Sequence, residues 1–504
     1  MEKTAVRQHR AGPREWLALA VIVMPVLLIS IDNTVLTFAL PQVSVALRPS
    51  GEQLMWLVDI YPLMLAGLLI AAGSLGDRVG RRRLLLIGAA GFGIASIGAS
   101  FSTSAEALIG WRALLGVFGA TLMPSTLSLI RTLFVHRHDR RIAVAVWAAT
   151  FSGGAALGPV VGGYLLEHFW WGSVFLVNVP IIVVFLGAAA LLVPESRDPN
   201  PGRLDLPGIA WSMTAMLPFV YGIKQLAEHG LSTASVGAMT IGVVGGVMFV
   251  RRQATAKHPL IDLGLFSDRA FSGALGANLL SMMGYAGFLF FAAQFLQLVV
   301  GLSPMAAATV LIPGLAVTIG AGFTVVRLAR HVPVHALVSL SFVMSAAGYA
   351  IAAFAGTPTT WSILIAFAVL GLGIGFAETL TNDVMLSSVP SHQAGAASAA
   401  SETAYEIGAV LGTAVLGSVL TSSFRANLTV PAVARFGEQD SAFETLGSAM
   451  EQARYYPNEI GEQLVLSAHS AFENAVQLTS AVAIVVALGA AWVSWRMLRG
   501  VALD

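Results

Sequence analysis

The sequence predicts an all-α membrane protein of fourteen spans, built as two six-helix bundles with two additional transmembrane helices between them. Three observations predict it. The 504 residues are 56% hydrophobic and only 11% charged, whereas soluble domains carry about 25% charged residues. The apolar residues gather into runs long enough to cross a bilayer, which takes about 20 residues each. Lys and Arg fall mostly on one side of those runs. This composition excludes a soluble enzyme and a disordered chain, and a formal net charge of +1 excludes a nucleic-acid binder. The absence of cysteine excludes disulfides, Cys-ligated zinc and Fe–S clusters.

The runs lie at 16–40, 54–75, 84–104, 107–130, 142–166, 174–193 and 209–226, then 233–250, 271–298, 304–326, 334–355, 361–385, 394–422 and 469–495. The first is no cleavable signal peptide, because it is too long and carries Asp32 inside it. With a cytoplasmic N-terminus, 22 of the 28 Lys and Arg fall on the inner side, four on outer loops, and Arg112 and Lys224 inside spans. The positive-inside bias then sets both termini in the cytoplasm. Residues 194–208 (PESRDPNPGRLDLPG) read as a cytoplasmic linker. Residues 424–467 form a long acidic extracytoplasmic stretch, either a solvated hairpin or a vestibule that attracts cations. The organisation is therefore 1–193 as a first bundle, 194–208 as linker, 209–250 as two inserted spans, and 251–504 as a second bundle.

A repeat supports that division. GAALGPVVGG from Gly154 and GAVLGTAVLG from Gly408 share six of ten residues at an offset of 254. LIGW from Leu108 pairs with LIAF from Leu364 at an offset of 256. Spans four and five then correspond to twelve and thirteen. Duplicated helical bundles with a site near the membrane midplane are how many secondary transporters are built.

Several motifs in order bring a family into view. The loop after span two reads GSLGDRVGRRR (Gly73 to Arg83), span one IDNTVLTFALP (Ile31 to Pro41), span four LIGWRALLGVFGA around Arg112, and span five GGAALGPVVGG (Gly153 to Gly163). With WLVDIYPLMLAG in span two and SETAYEIGAVLG in span thirteen, the chain resembles the fourteen-span drug:proton antiporters of the major facilitator superfamily. The resemblance implies the major facilitator fold, a proton-linked Asp32, and an Arg112 that answers to the superfamily's proton-linked arginine. It also implies that Gly158 and Pro159 belong to the motif typical of exporters. Two departures stand out. Arg82 lies where the family loop usually has a Lys nearby. The second-half copy of that loop, TVVRLARHVP, has lost its acid, which argues against a symmetric cytoplasmic lock.

The charges inside spans carry the chemistry, since each costs about 2.5–3.5 kcal/mol on insertion scales. Asp32 is either a proton carrier or a structural acid paired with an arginine. Arg112 is the one basic residue expected deep in a span. It either biases a nearby carboxylate or ties helices together through water and backbone carbonyls. Glu402 and Glu406 are four apart, share a helix face with Tyr405 beside them, and are expected to titrate as a coupled pair. Their rival reading is a wet inner vestibule. Asp59, placed near the outer end of span two, is flanked by Trp56 and Tyr61. An acid with aromatic neighbours suits an organic cation, although Trp56 also fits an interfacial belt. Glu378 is expected deep in span twelve and Asp383 nearer its cytoplasmic end. Tyr285, Phe288 and Gln294 of span nine either line an apolar pocket or, for about half that span's aromatics, face lipid. Gly73, Asp77, Arg78, Gly80 and Arg81 of the loop, with Gly158 and Pro159, are read as gating and conformational residues.

These readings converge on a proton-coupled multidrug exporter of the inner membrane, working by alternating access. Its expected partners are protons, the lipid bilayer and lipophilic organic cations: ethidium, acriflavine and quaternary ammonium compounds, with fluoroquinolones as a further class. It is expected to be a monomer that binds no nucleic acid, no metal and no cofactor. The sequence lacks G-x-x-x-x-G-K-[ST], against ATP drive. The alternatives are a proton-coupled transporter of a metabolite or nutrient, opposed by the surplus of intramembrane acids over bases, and a membrane enzyme, opposed by the lack of a clustered His or Asp site.

Overall fold

The computed structural model describes residues 11–197, 205–256, 259–354, 359–389, 394–430 and 443–501. Among them are fourteen helices long and apolar enough to cross a membrane, and they coincide with the fourteen apolar runs. The ends of several helices carry their own start signals. Span one (Pro13–Leu47) opens with Pro at its first position, and Glu15 accepts the Gly12 N–H at 2.8 Å. Span two (Gly51–Val79) opens on a capping box, in which Ser50 accepts from the Gln53 N–H at 3.1 Å and Gln53 accepts from the Ser50 N–H at 3.0 Å. Asp268 caps span nine (Arg269–Gln294), accepting the N–H groups of Ala270 and Phe271. Large apolar side chains such as Ile94, Val183, Leu191, Phe323 and Val485 remain exposed, as a lipid-facing surface requires.

Packing follows the same scheme in spans one to six and spans nine to fourteen. Span one packs on five, two on four, and three on four and six; span nine packs on thirteen, ten on twelve, and eleven on twelve and fourteen. The offset is eight spans throughout, the same offset that relates the two glycine runs. Across the two sets, span two meets thirteen and span five meets ten. Spans seven (Leu206–His229) and eight (Thr233–Thr255) pack on each other, and span seven leans on spans two and thirteen.

The glycine runs make those contacts close. A methyl group at Gly154 would meet Ser30 Cβ at 2.8 Å, one at Gly162 would meet Val35 Cγ2 at 2.8 Å, and one at Gly158 would collide with Thr34 Oγ1. In the second set Gly408 lies against the Leu279 carbonyl and Gly412 against that of Met283. Small residues let helix backbones approach where lipid supplies no hydrophobic drive between helices. Gly158→Val is therefore expected to lower the unfolding temperature in detergent and to cost about 1–3 kcal/mol by overpacking. Thermal unfolding at the wild-type temperature would count against this contact.

Two boundaries differ from the sequence reading. The helix of span thirteen runs on to Asn427, and that of span fourteen begins at Asn458. The stretch between them is thus shorter than 424–467, because residues 458–468 are mixed in hydropathy yet helical. Of that stretch, 431–442, with Glu438 and Asp440, lies outside the described residues, as does 198–204 of the linker. A short helix, Leu446–Ala453, packs on spans one and fourteen. Glu444 accepts the Gly51 N–H at 3.0 Å, so this segment covers the turn joining spans one and two.

The arginine loop is also tied down. Gly80 has φ +111°, in the region that only glycine adopts freely, and it joins span two to span three (Arg81–Ser100). A methyl group there would meet the Glu195 carboxyl carbon at 2.8 Å. That carboxylate accepts the N–H groups of Arg82 and Arg83 at 3.0 and 3.2 Å, an acid at a helix N-terminus. Asp77 pairs with Arg81 one turn on, at 2.6 Å. Gly73 lies beside Pro124 of span four, and Arg78 is half-buried in the same turn. Pro159 is buried within span five.

Candidate functional site: a narrow central cavity with two buried ion pairs

Spans one, two, four, nine and thirteen converge on one interior cavity of about 60 Å³. Asn33, Asp59 and Arg112 reach it from the first set of spans, and Tyr285, Phe290, Tyr405, Glu406 and Thr413 from the second. Drug-sized ligands occupy pockets of about 300–1,000 Å³, so the cavity must widen to take one. Helices nine and thirteen each contain a π segment, Phe295–Val299 and Gly412–Gly417. Such segments concentrate at functional sites, and the second carries Thr413 into the cavity wall.

The first ion pair joins spans one and four. Arg112 Nη1 lies 2.9 Å from Asp32 Oδ2, and both side chains are buried. Arg112 Nε also donates to the Leu57 carbonyl at 3.0 Å and Nη2 to that of Val58 at 3.4 Å. Its guanidinium lies 4.8 Å from the centre of the Tyr61 ring. Both roles read for Arg112, biasing a carboxylate and binding carbonyls, are thus geometrically present in one side chain. Asn178 of span six donates to Asp32 Oδ1 at 3.5 Å. Arg112 faces the cavity; Asp32 stands behind it and does not line the wall.

The second ion pair gives Asp59 a basic partner that the sequence reading did not assign to it. Asp59 is fully buried, eight residues into span two from its start at Gly51. Lys224 of span seven, also fully buried, brings Nζ to 2.8 Å from Asp59 Oδ2 and 3.9 Å from the centre of the Trp56 ring. Arg112 is therefore not the one deep basic residue. The rings expected to wait for an organic cation hold the chain's own cations, Tyr61 under Arg112 and Trp56 under Lys224, and neither ring lines the cavity.

Glu406 and Tyr405 line the cavity, and Glu406 accepts from Asn33 Nδ2 at 3.5 Å across the interface between the two sets. Glu402 is half-buried and outside the cavity wall, as is Glu378, which sits close enough to Tyr285 and Tyr405 to interact electrostatically. Asp383 is exposed. Span nine is divided more sharply than its composition suggests. Tyr285 and Phe290 reach the cavity. Phe288 does not; it is core, packed on Phe291, Tyr349 and Phe367. Gln294 donates to its own helix, to the Phe290 carbonyl at 2.8 Å, and lines a separate small cavity. Asn33, Asn178, Lys224 and Thr413 were missed as site residues. Lys224 alone carried a signal, a charge within a span.

Similarity to known proteins agrees with this architecture. The family model described as Major Facilitator Superfamily matches residues 24–413. The chain is 50% identical to "Multidrug efflux pump LfrA" of Mycolicibacterium smegmatis, covering 96% of each chain. It is 37% identical to "Methyl viologen resistance protein SmvA" of Salmonella typhimurium, over 93% of this chain and 95% of that one. Among solved structures, a bacterial homologue of the human lysosomal transporter Spinster, in an inward-facing and unoccupied conformation, superposes with a TM-score of 0.66 at 17% identity. That match covers 97% of this chain and 98% of the other and speaks to fold alone. With a family model across most of its length, relatives at this identity and fourteen apolar spans, the chain belongs to the Major Facilitator Superfamily and is a multi-pass membrane transporter, not an enzyme.

Proposed function

We propose that the protein exports lipophilic organic cations in exchange for protons, by alternating access. The observation that carries this reading is the charge balance of the cavity. Asp32 is paired with Arg112 and Asp59 with Lys224. Glu406 is left as a cavity-lining carboxyl with no basic partner among the described residues. Tyr285, Phe290 and Tyr405 stand around it. A proton neutralises such a site; an organic cation beside aromatic faces does so equally well. The two cannot share it, and that competition is antiport. The names of the relatives, a multidrug efflux pump and a methyl viologen resistance protein, support ethidium, acriflavine and quaternary ammonium compounds as the substrate class, with fluoroquinolones beyond it.

In this reading the sets of six spans rock against each other, opening the central cavity to one face and then the other. The repeated packing scheme and the glycine contacts within each set support rigid bundles. The basic-residue bias supports cytoplasmic termini in the inner membrane of a bacterium, with the Leu446–Ala453 segment outside and the arginine loop inside. Exchange of one proton for one monovalent cation moves no net charge. It therefore draws on the pH gradient alone and gains nothing from the membrane potential, which is worth about 2.3 kcal/mol per charge per 100 mV.

The test is proton release in proteoliposomes holding a pH gradient. Addition of ethidium or a quaternary ammonium compound should evoke proton movement in wild-type protein and none in empty vesicles. No response to any cation would discard the exporter reading and favour a metabolite transporter.

A further inference from the structure

Span seven delivers a lysine to the place where an organic cation would bind. A carboxylate and an aromatic face are the two groups such a cation seeks, and Lys224 Nζ holds both, at 2.8 Å from Asp59 and 3.9 Å from the Trp56 ring centre. Asp59 at the same time lines the central cavity. We propose that Lys224 is a tethered cation that occupies Asp59 in the empty transporter, and that a transported organic cation takes Asp59 by displacing it. The proposal rests on the export reading and names a specificity-determining residue within it.

Two observations separate Lys224 from a merely structural charge. The first is how loosely it is held beside its counterpart. Arg112 is fixed by Asp32, two backbone carbonyls and Tyr61. For Lys224 the described residues supply one ion pair, to Asp59, and one ring contact, to Trp56. A lysine ammonium is a point charge on a flexible four-carbon stem, easily re-aimed, whereas a forked guanidinium is not. The second is that a destination exists. A small cavity beside Lys224 is lined by Glu52, Ser418, Thr421 and Arg425 as well. Glu52 lies seven residues before Asp59 on the same helix, about 10 Å along its axis. It is held ready by Trp56 Nε1 at 3.2 Å and Gln225 Nε2 at 3.0 Å. A displaced ammonium therefore moves from one carboxylate towards another without entering lipid. The inserted pair of spans gains a purpose on this account: it supplies the competing charge.

The experiment measures ethidium binding to purified full-length protein in nanodiscs, for wild type, Lys224→Gln, Lys224→Arg, Asp59→Asn and the double variant Asp59→Asn/Lys224→Gln. Lys224→Gln should lower the ethidium Kd by at least about tenfold, the low end of couplings between close charge pairs. Lys224→Arg should not tighten binding, and the gain should vanish in the Asp59→Asn background. An unchanged Kd in Lys224→Gln, or a gain that persists without Asp59, overturns the proposal while leaving export intact. Wild-type protein that neither binds nor exports ethidium overturns the export reading itself. Should Lys224→Gln fail to fold, wild-type protein still decides the matter. Saturating ethidium should raise labelling of Lys224 by a membrane-permeant amine reagent, read by mass spectrometry; unchanged or lower labelling overturns displacement.

Discussion

Asp32→Asn is expected to reduce cation-evoked proton release and to weaken ethidium binding, because asparagine mimics the protonated acid and leaves Arg112 unneutralised at the cavity. Both effects follow from position. Asp32 is behind Arg112 and outside the cavity wall, so no substrate in the cavity touches it. It nevertheless decides whether Arg112 is neutralised, and Arg112 does face the cavity. A proton on Asp32 frees that guanidinium to repel an organic cation; its loss lets the pair close again. Asparagine keeps the shape and removes the titration. The same substitution should weaken the fold, because removing one partner of a buried ion pair costs about 3–5 kcal/mol. Here the carbonyls of Leu57 and Val58 still hold Arg112, which places the expected loss at the lower end. Asp32→Asn/Arg112→Gln removes both charges and should recover much of the unfolding temperature without recovering proton release. Wild-type proton release from Asp32→Asn would make the pair structural and leave coupling to Glu406 alone. Full recovery of transport in the double variant would do the same.

The fold was legible in the sequence because a bilayer imposes a simple rule. Every spanning segment must be helical and apolar for about 20 residues, and a window of hydropathy finds such segments without knowing what they touch. The helical residues 458–468 were not found that way, since they extend a span beyond its apolar part. The site was legible one residue at a time. Asp32, Arg112, Asp59 and Glu406 each announced themselves as charge within a span. Their pairing did not, because Asp59 and Lys224 lie on spans two and seven and nothing local links them. The aromatics of span nine show the same limit from another side. Phe288 and Phe290 are two apart and so face in different directions on a helix. Sequence shows that they differ in facing but not which is core, and the structure gives the core to Phe288 and the cavity to Phe290.

Glu406→Gln and Glu402→Gln are expected to differ sharply, although the residues sit one turn apart on span thirteen. Glu406 is buried in the cavity wall and bonded to Asn33 of the opposite set of spans. Glu402 is half-buried and off the wall. A cation about 6 Å from an ionised carboxylate gains about 3 kcal/mol at an effective dielectric constant of 20. Glu406→Gln should therefore raise the Kd for ethidium on the order of a hundredfold. Glu402→Gln should raise it less than about threefold, since that carboxylate lies off the cavity wall and farther from the cation. Ethidium fluorescence titrations on both variants make the comparison, with an uncharged aromatic of similar size as control. That control should bind equally well to wild type and Glu406→Gln, since its contacts with Tyr285, Phe290 and Tyr405 involve no charge. Equal losses in the two variants would place the exchange site on the whole face of span thirteen instead of at the Asn33 contact. A loss confined to Glu402→Gln would mean that the cation binds nearer the start of span thirteen, and that the central cavity is a passage and not the site.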